Sequence, residues 1–180
     1  MSENKKTILV TGATGLIGHP LCEKLKASGY QVRSLSRSAS GDFQWDPPAG
    51  ELSLEALQGV DVVLHLAGES VAQRWNDEVK QRILQSRVQS TQLLAQRILA
   101  TDSRPVFISA SGINYYGYDR DTPVDERANS GEGFLAEVCR QWEGAAQDLE
   151  QAGCRCVYVR TGVVLSREGG ALAKMLPPFK

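Results

Sequence analysis

The chain has 180 residues and a formal net charge of −1, with 20 Lys+Arg against 21 Asp+Glu. This balance gives no basic excess for a nucleic acid or a membrane surface, and the 42% hydrophobic content is that of an ordinary globular domain. The length suits one domain, and the first apolar run, Ile8-Leu9-Val10, is too short for a signal peptide or a spanning helix. The expectation is a cytoplasmic protein with no nucleic-acid or membrane partner.

The predicted elements alternate. Thr7–Thr11 reads as a strand, and a helix follows from about Leu16 to Ser28, stopped by Gly29. Gln31–Ser36 is a second strand, and Phe43-Gln44-Trp45 a shorter one inside the loop Asp42–Gly50. A weak helix lies at Ser53–Leu57, then a strand at Asp61–Leu66. Asn76-Asp77-Glu78 reads as a helix cap with an acidic first turn. Val79, Ile83, Val88, Leu94 and Ile98 carry that helix to about Ala100. Pro105–Ser109 is a strand and Ser111–Gly133 a long loop, of the length that is usually functional. Phe134, Val138, Trp142, Ala145 and Leu149 mark one helix ending near Gly153, and Cys156–Arg160 a last strand. Several strands are apolar almost throughout, as strands covered on both faces must be. The expected fold is α/β: a Rossmann-like, doubly wound parallel sheet with helices on both faces.

Cys22, Cys139, Cys154 and Cys156 form no C-x-x-C pair, and the histidines are only His19 and His65. The expectation is four reduced thiols and no metal site.

Val10-Thr11-Gly12-Ala13-Thr14-Gly15-Leu16-Ile17-Gly18 carries the most information. Gly12 permits the tight turn, Gly15 lets a pyrophosphate approach backbone amides, and Gly18 lets the helix pack on the strand. The helix N-terminus adds amide donors and a positive dipole. At the end of the second strand, Ser36 stands where an acid would bind a ribose 2′-hydroxyl, and Arg37 follows. A guanidinium there pairs with a 2′-phosphate, which favours NADP over NAD.

With these residues in place the chain resembles the short-chain dehydrogenase/reductase superfamily. It is similar to the extended, NAD-dependent epimerase/dehydratase-like members and, within them, to the atypical YfcH-type epimerase-family branch. Further matches are Leu66-Ala67-Gly68-Glu69, Arg74-Trp75, Ser86-Arg87, Tyr115-Tyr116-Gly117, Trp142-Glu143, and Arg160–Leu165 through Met175-Leu176-Pro177. The resemblance implies an adenine contact at Asp46, a turn along the adenosine ribose and diphosphate at Leu66, Ala67 and Gly68, and a cation toward the cofactor or the substrate mouth at Arg87. The plainer readings are a turn at Asp46-Pro47 and a solvated helix residue at Arg87.

Active members of the superfamily use a Tyr and a Lys four residues apart on one helix, with a Ser or Thr after the fifth strand. Anchored on Glu143, those helix positions are Leu135 and Cys139, and no Lys occurs between Lys80 and Lys174. The serine position falls near Gly112, beside Ser111. Ser111 and Tyr116 are the remaining candidate acids. Without a nearby cation, a tyrosine pKa stays near the ordinary value of about 10. Packing of Tyr115 and Tyr116 over the cofactor is the plainer alternative. Two functions stay open. One is an NADP-dependent oxidoreductase or nucleoside-diphosphate-sugar epimerase of unknown substrate. The other is a non-catalytic NADP-binding sensor or partner module. The resemblance implies that residues 1–180 form an NAD(P)-binding domain without the family's C-terminal strand and substrate lobe. It also suggests a homodimer through the two long helices, although core packing explains Ile83, Leu94, Val138 and Trp142 as well.

Overall fold

The computed structural model describes residues 5–118 and 121–179. Seven strands form one sheet: β1 Thr7–Thr11, β2 Gln31–Ser36, β3 Phe43–Asp46, β4 Glu51–Leu52, β5 Val62–His65, β6 Val106–Gly112 and β7 Cys156–Thr161. Their order is β4-β3-β2-β1-β5-β6-β7. Every neighbouring pair is parallel except β3 and β4, which are antiparallel.

β1 holds the centre because all five of its residues are buried. Ile8 lies level with Val32 on β2 and Val62 on β5. Successive side chains point to opposite faces, so one strand feeds two cores. Leu9, Leu35, Val63 and Phe107 join one core with Leu93, Leu94, Ile98 and Leu149. Ile8 and Val10 join the other with Cys22, Leu25 and Leu64.

Among the described residues there are five helices: α1 Gly18–Ala27, α2 Asp77–Leu99, α3 Phe134–Gly144, α4 Gln147–Gln151 and α5 Gly170–Met175. The Asn76 side chain accepts from the Val79 amide at 2.8 Å, the expected cap of α2. Ile83, Leu94, Val138 and Trp142, considered above for association of two copies, are all buried within this one chain.

The structure departs from the sequence reading in several places. α1 begins at Gly18, because residues 12–17 are spent on the turn. The helix expected from Phe134 to near Gly153 breaks between Gly144 and Gln147. There the Ala146 amide bonds to the Glu143 carbonyl in a tightened turn, while Ala146 and Leu149 sit fully buried. β4 is new, and pairs Leu52 with Trp45. The segment 111–133 is less loop-like than expected, since β6 runs to Gly112 and a 3₁₀ turn occupies Ile113–Tyr116. Asp119 and Arg120 of that segment lie outside the described residues. No helix among the described residues is long and apolar enough to cross a membrane.

Leu94 is fully buried between α2 and the sheet. Leu94→Ala is expected to cost about 2–5 kcal/mol, read as a lower urea midpoint at unchanged m-value.

Candidate functional site

From β1 the chain builds outward through β2 and β3 on one side, and β5, β6 and β7 lie on the other. Such a switch point opens a crevice at the carboxyl ends of the central strands. A cleft of about 820 Å³ lies there. Gly12, Thr14 and Gly15 line it from the β1 turn, Ser36 and Arg37 from the end of β2, and Leu66, Ala67 and Gly68 from the turn after β5. Eight of the expected cofactor residues thus share one cleft. Leu16, Ile17, Gly18, Asp46 and Arg87 are not in its lining.

The turn's geometry explains its glycines. Gly12 has φ +70°, and a Cβ there would stand 2.9 Å from the Leu66 carbonyl carbon. A Cβ on Gly18 would stand 2.1 Å from the Gly12 carbonyl oxygen. The Gly15 amide donates to that same oxygen at 3.0 Å, and the His19 amide to the Gly15 carbonyl at 2.9 Å. Leu16, Ile17 and Gly18 therefore carry the chain from the cleft into α1.

At the other end of the cleft, three hydroxyls cluster. Ser36 Oγ is 3.2 Å from Ser38 Oγ, and Ser38 Oγ is 2.8 Å from Ser40 Oγ. Ser38 and Ser40 also line the cleft, and the sequence reading missed both. The side chain of Arg37 is exposed beside them, while its carbonyl accepts from Gln44 Nε2 at 3.1 Å. The nearby Asp42 carboxylate is occupied by the Ser34 amide and hydroxyl at 2.7 and 2.8 Å. Those bonds, the amide first, hold it below the usual carboxylate range. Asp46 behaves as a turn residue: its Oδ1 accepts from the Ala49 amide at 3.4 Å, while its neighbours Trp45 and Pro47 line the cleft.

Behind the cleft wall lies a buried polar chain that the sequence reading did not assign. His65 is fully buried, with Nδ1 2.8 Å from Thr11 Oγ1 and Nε2 3.1 Å from Ser90 Oγ. Trp45, Phe107 and Trp142 surround its ring. Burial, with a smaller push from Arg87, lowers the His65 pKa to about 3. Arg87 is not part of the cleft lining. Its Nη1 donates to the carbonyls of Glu69 and Ile83 at 2.9 and 3.0 Å, and its guanidinium lies 5.0 Å from the Trp142 ring centre. A Cβ on Gly68 would meet its Cζ at 2.9 Å, so Arg87 props the Gly68 turn from beneath.

Ser111 and Tyr116 belong to a second cluster. Ser111 Oγ donates to Glu143 Oε1 at 2.6 Å. Arg160, on β7, donates from Nε and Nη2 to the two Glu143 oxygens at 2.9 and 2.7 Å. Its Nη1 donates to the Tyr116 hydroxyl at 2.8 Å, and its guanidinium lies 3.5 Å from the Tyr115 ring centre. The expectation of no cation near these tyrosines is therefore corrected: one is present, supplied by a strand rather than by the helix that carries Cys139. Glu143 holds Arg160 above its usual pKa, with Tyr116 adding to the effect. Tyr116 and Arg160 line a separate hollow of about 600 Å³, and neither Ser111 nor Tyr116 lines the larger cleft. Cys139 is buried, and burial pushes its thiol pKa up. Among the described residues, no three His, Cys, Asp or Glu side chains are grouped to hold a metal ion.

The depressed His65 pKa has a measurable consequence. Below about pH 6.5 the unfolded chain protonates this histidine, while the native chain stays neutral down to about pH 3. Stability is expected to fall as pH drops through that window, by up to about 1.4 kcal/mol per pH unit from this group. Urea midpoints at pH 7, 6 and 5 should fall more steeply for the wild type than for His65→Gln. Equal slopes would contradict the assignment.

The family model of the NAD dependent epimerase/dehydratase family matches residues 8–175. Epimerase family protein Mb2239 of Mycobacterium bovis is 40% identical over 176 residues, covering 96% of this chain and 58% of that protein. The crystal structure of a nucleoside-diphosphate sugar epimerase from Corynebacterium glutamicum superposes with a TM-score of 0.86 at 39% identity, over 97% of this chain and 38% of that one. That of human epimerase family protein SDR39U1 (isoform 2) with NADPH gives 0.80 at 34% identity, over 96% and 59%. The chain spans 58–59% of the length of the mycobacterial relatives it matches. Sequence and fold together establish that this chain belongs to the NAD dependent epimerase/dehydratase family.

Proposed function

We propose that the chain binds NADP(H) in the cleft at the switch point, as the dinucleotide-binding domain of an epimerase-family protein. The observation that carries the proposal is the composition of the cleft's two ends. One end is a glycine turn that leads into a helix N-terminus, with backbone and no side chain at Gly12 and Gly15. The other end holds Arg37 with the hydroxyls of Ser36, Ser38 and Ser40. A diphosphate fits the first end, and a 2′-phosphate fits the second, where Asp42 is turned away to Ser34. The human relative's structure with NADPH supports the same choice of cofactor.

When bound, the nicotinamide supplies reversible hydride transfer. In this reading, the residues of the chain orient the dinucleotide. Gly12–Gly15 receive the diphosphate, Arg37 and the serines select the 2′-phosphate, and the Leu66–Gly68 turn lies along the adenosine ribose. Oxidoreductase or sugar-nucleotide epimerase activity on an unknown substrate belongs to the whole protein in this proposal, with residues 1–180 as its NAD(P)-binding domain. A specific observation favours a second reading, a binding module without turnover. Leu135 and Cys139 stand at the usual Tyr and Lys positions, and Ser111 and Tyr116 are engaged by Glu143 and Arg160.

Fluorescence titration with NADPH and NADH tests the reading. The wild type should prefer NADPH, and Arg37→Ala should reduce that preference by about tenfold while leaving NADH affinity unchanged. An unchanged preference would remove Arg37 as the selector. Absence of binding to either dinucleotide would overturn the proposal.

A further inference from the structure

The hydrogen-bond inventory around His65 closes in only one way. Thr11 Oγ1 accepts from the Leu66 and Ala67 amides, both at 3.1 Å, the Leu66 amide being shared with the Thr11 carbonyl at 3.3 Å. A hydroxyl oxygen has two lone pairs and one proton, so both acceptor sites are filled and the proton must go elsewhere. Its remaining neighbour is His65 Nδ1 at 2.8 Å. Were Nδ1 protonated, three donors would converge on one hydroxyl oxygen, whose own proton would have no acceptor. Nδ1 is therefore bare, and the neutral ring carries its proton on Nε2. That proton is donated to Ser90 Oγ at 3.1 Å, and the Ser90 proton goes to the Ser86 carbonyl at 2.7 Å, with that of Arg87 at 3.0 Å. A doubly protonated ring would reverse the Thr11 bond in a fully buried site beside the Arg87 guanidinium.

The two ends of this chain are parts of the cleft. Thr11 immediately precedes the Gly12 turn, Leu66 and Ala67 line the cleft, and Ser90 lines it from α2. The chain crosses from β1 through β5 to α2, and everything along it is buried: Thr11 and His65 completely, Ser90 to 1% exposure. Trp45, which touches the His65 ring edge-on at 6.3 Å, lines the cleft as well.

We propose that His65, locked as the neutral Nε2–H tautomer, is the positioning residue of the cleft: by accepting the hydrogen bond of the Thr11 hydroxyl at Nδ1 it fixes that hydroxyl as the double acceptor that holds the Leu66–Ala67 turn in place to receive the dinucleotide. His65 touches no ligand in this account; it acts through Thr11 and Ser90. The proposal rests on the NADP(H) reading for its ligand, whereas the tautomer itself does not.

The test combines imidazole ¹⁵N NMR with NADPH titration on the same samples. The wild type should show an Nε2–H tautomer between pH 5 and 8, with and without NADPH. Thr11→Ser keeps the hydroxyl, and should keep both the tautomer and the NADPH affinity. Thr11→Val keeps the volume and strips the side-chain acceptor from both amides, leaving Ala67 without a partner and Leu66 with only its longer bond to the Thr11 carbonyl. It should weaken NADPH binding by about tenfold or more and free Nδ1 from its donor, visible as a changed ¹⁵N shift. Ser90→Ala, which leaves both amides satisfied, should move the Nε2 shift and weaken binding less. It serves as the working variant if Thr11→Val does not fold.

An Nδ1–H tautomer or an imidazolium in the wild type would overturn the proposal. So would a folded Thr11→Val that binds NADPH like the wild type, or, should that variant not fold, a Ser90→Ala protein with an unmoved Nε2 shift. A wild type that binds neither NADPH nor NADH would instead sink the cofactor reading and remove the positioning role with it, leaving the tautomer to stand or fall on its spectrum.

Discussion

The approach of bare backbone to backbone at Gly12 governs the rest of the structure. Gly12 lies against the Leu66 carbonyl on one side, and its own carbonyl oxygen lies where a Gly18 side chain would begin on the other. The end of β1, the turn after β5 and the start of α1 are thus drawn together at one residue. That meeting sets the floor of the cleft and the direction in which α1 leaves it. Because the contacts are with backbone, no rotamer change relieves an added Cβ, so the geometry has little freedom to drift.

The polar groups of the structure are of two kinds. Arg37, Ser38 and Ser40 are exposed at the mouth of the cleft, with Ser36 half-buried beside them. Arg87, Arg160 and His65 are committed inward: Arg87 to two carbonyls, Arg160 to Glu143 and Tyr116, His65 to two hydroxyls. Groups of the second kind hold geometry, and removing one partner leaves a buried polar atom unsatisfied. The Ser111–Glu143–Arg160–Tyr116 cluster is of this kind. It ties the end of β6, the following 3₁₀ turn, α3 and β7 to one ion pair, whose side chains keep only 17% and 10% exposure. Ser111 and Tyr116, the candidate acids of the sequence, both bond into this tie.

What was legible in the sequence was local. Nearly continuous apolar runs such as Thr7–Thr11 announced strands covered on both faces, and Asn76 with Asp77 and Glu78 announced α2. The glycine spacing placed the turn because the positive φ of Gly12 and the contact of Gly18 with the Gly12 carbonyl are local demands, although Gly12 also answers the distant Leu66 backbone. What was not legible was either long-range or too short to have a period. Tyr116 meets Arg160 across 44 residues, and Thr11 meets His65 across 54. No pattern of spacing encodes such pairs, so the cation beside Tyr116 and the hydrogen bonds of His65 went unread. β4 has two residues, below any periodicity. The break after Gly144 arises from packing, since Ala146 and Leu149 turn into the core once the helix tightens. Asp46 and Arg87 were chosen by resemblance alone, and their side chains bond to their own surroundings.

The central claim is that one cleft holds an NADP dinucleotide in a single orientation, diphosphate at Gly12–Gly15 and 2′-phosphate at Arg37. A crystal structure of the protein grown with NADP tests it most directly. The account predicts phosphate oxygens within hydrogen-bond distance of the amides of the glycine turn, and the 2′-phosphate against the Arg37 guanidinium and the Ser36, Ser38 and Ser40 hydroxyls. A dinucleotide bound elsewhere, or one whose 2′-phosphate points into solvent away from Arg37, would contradict it.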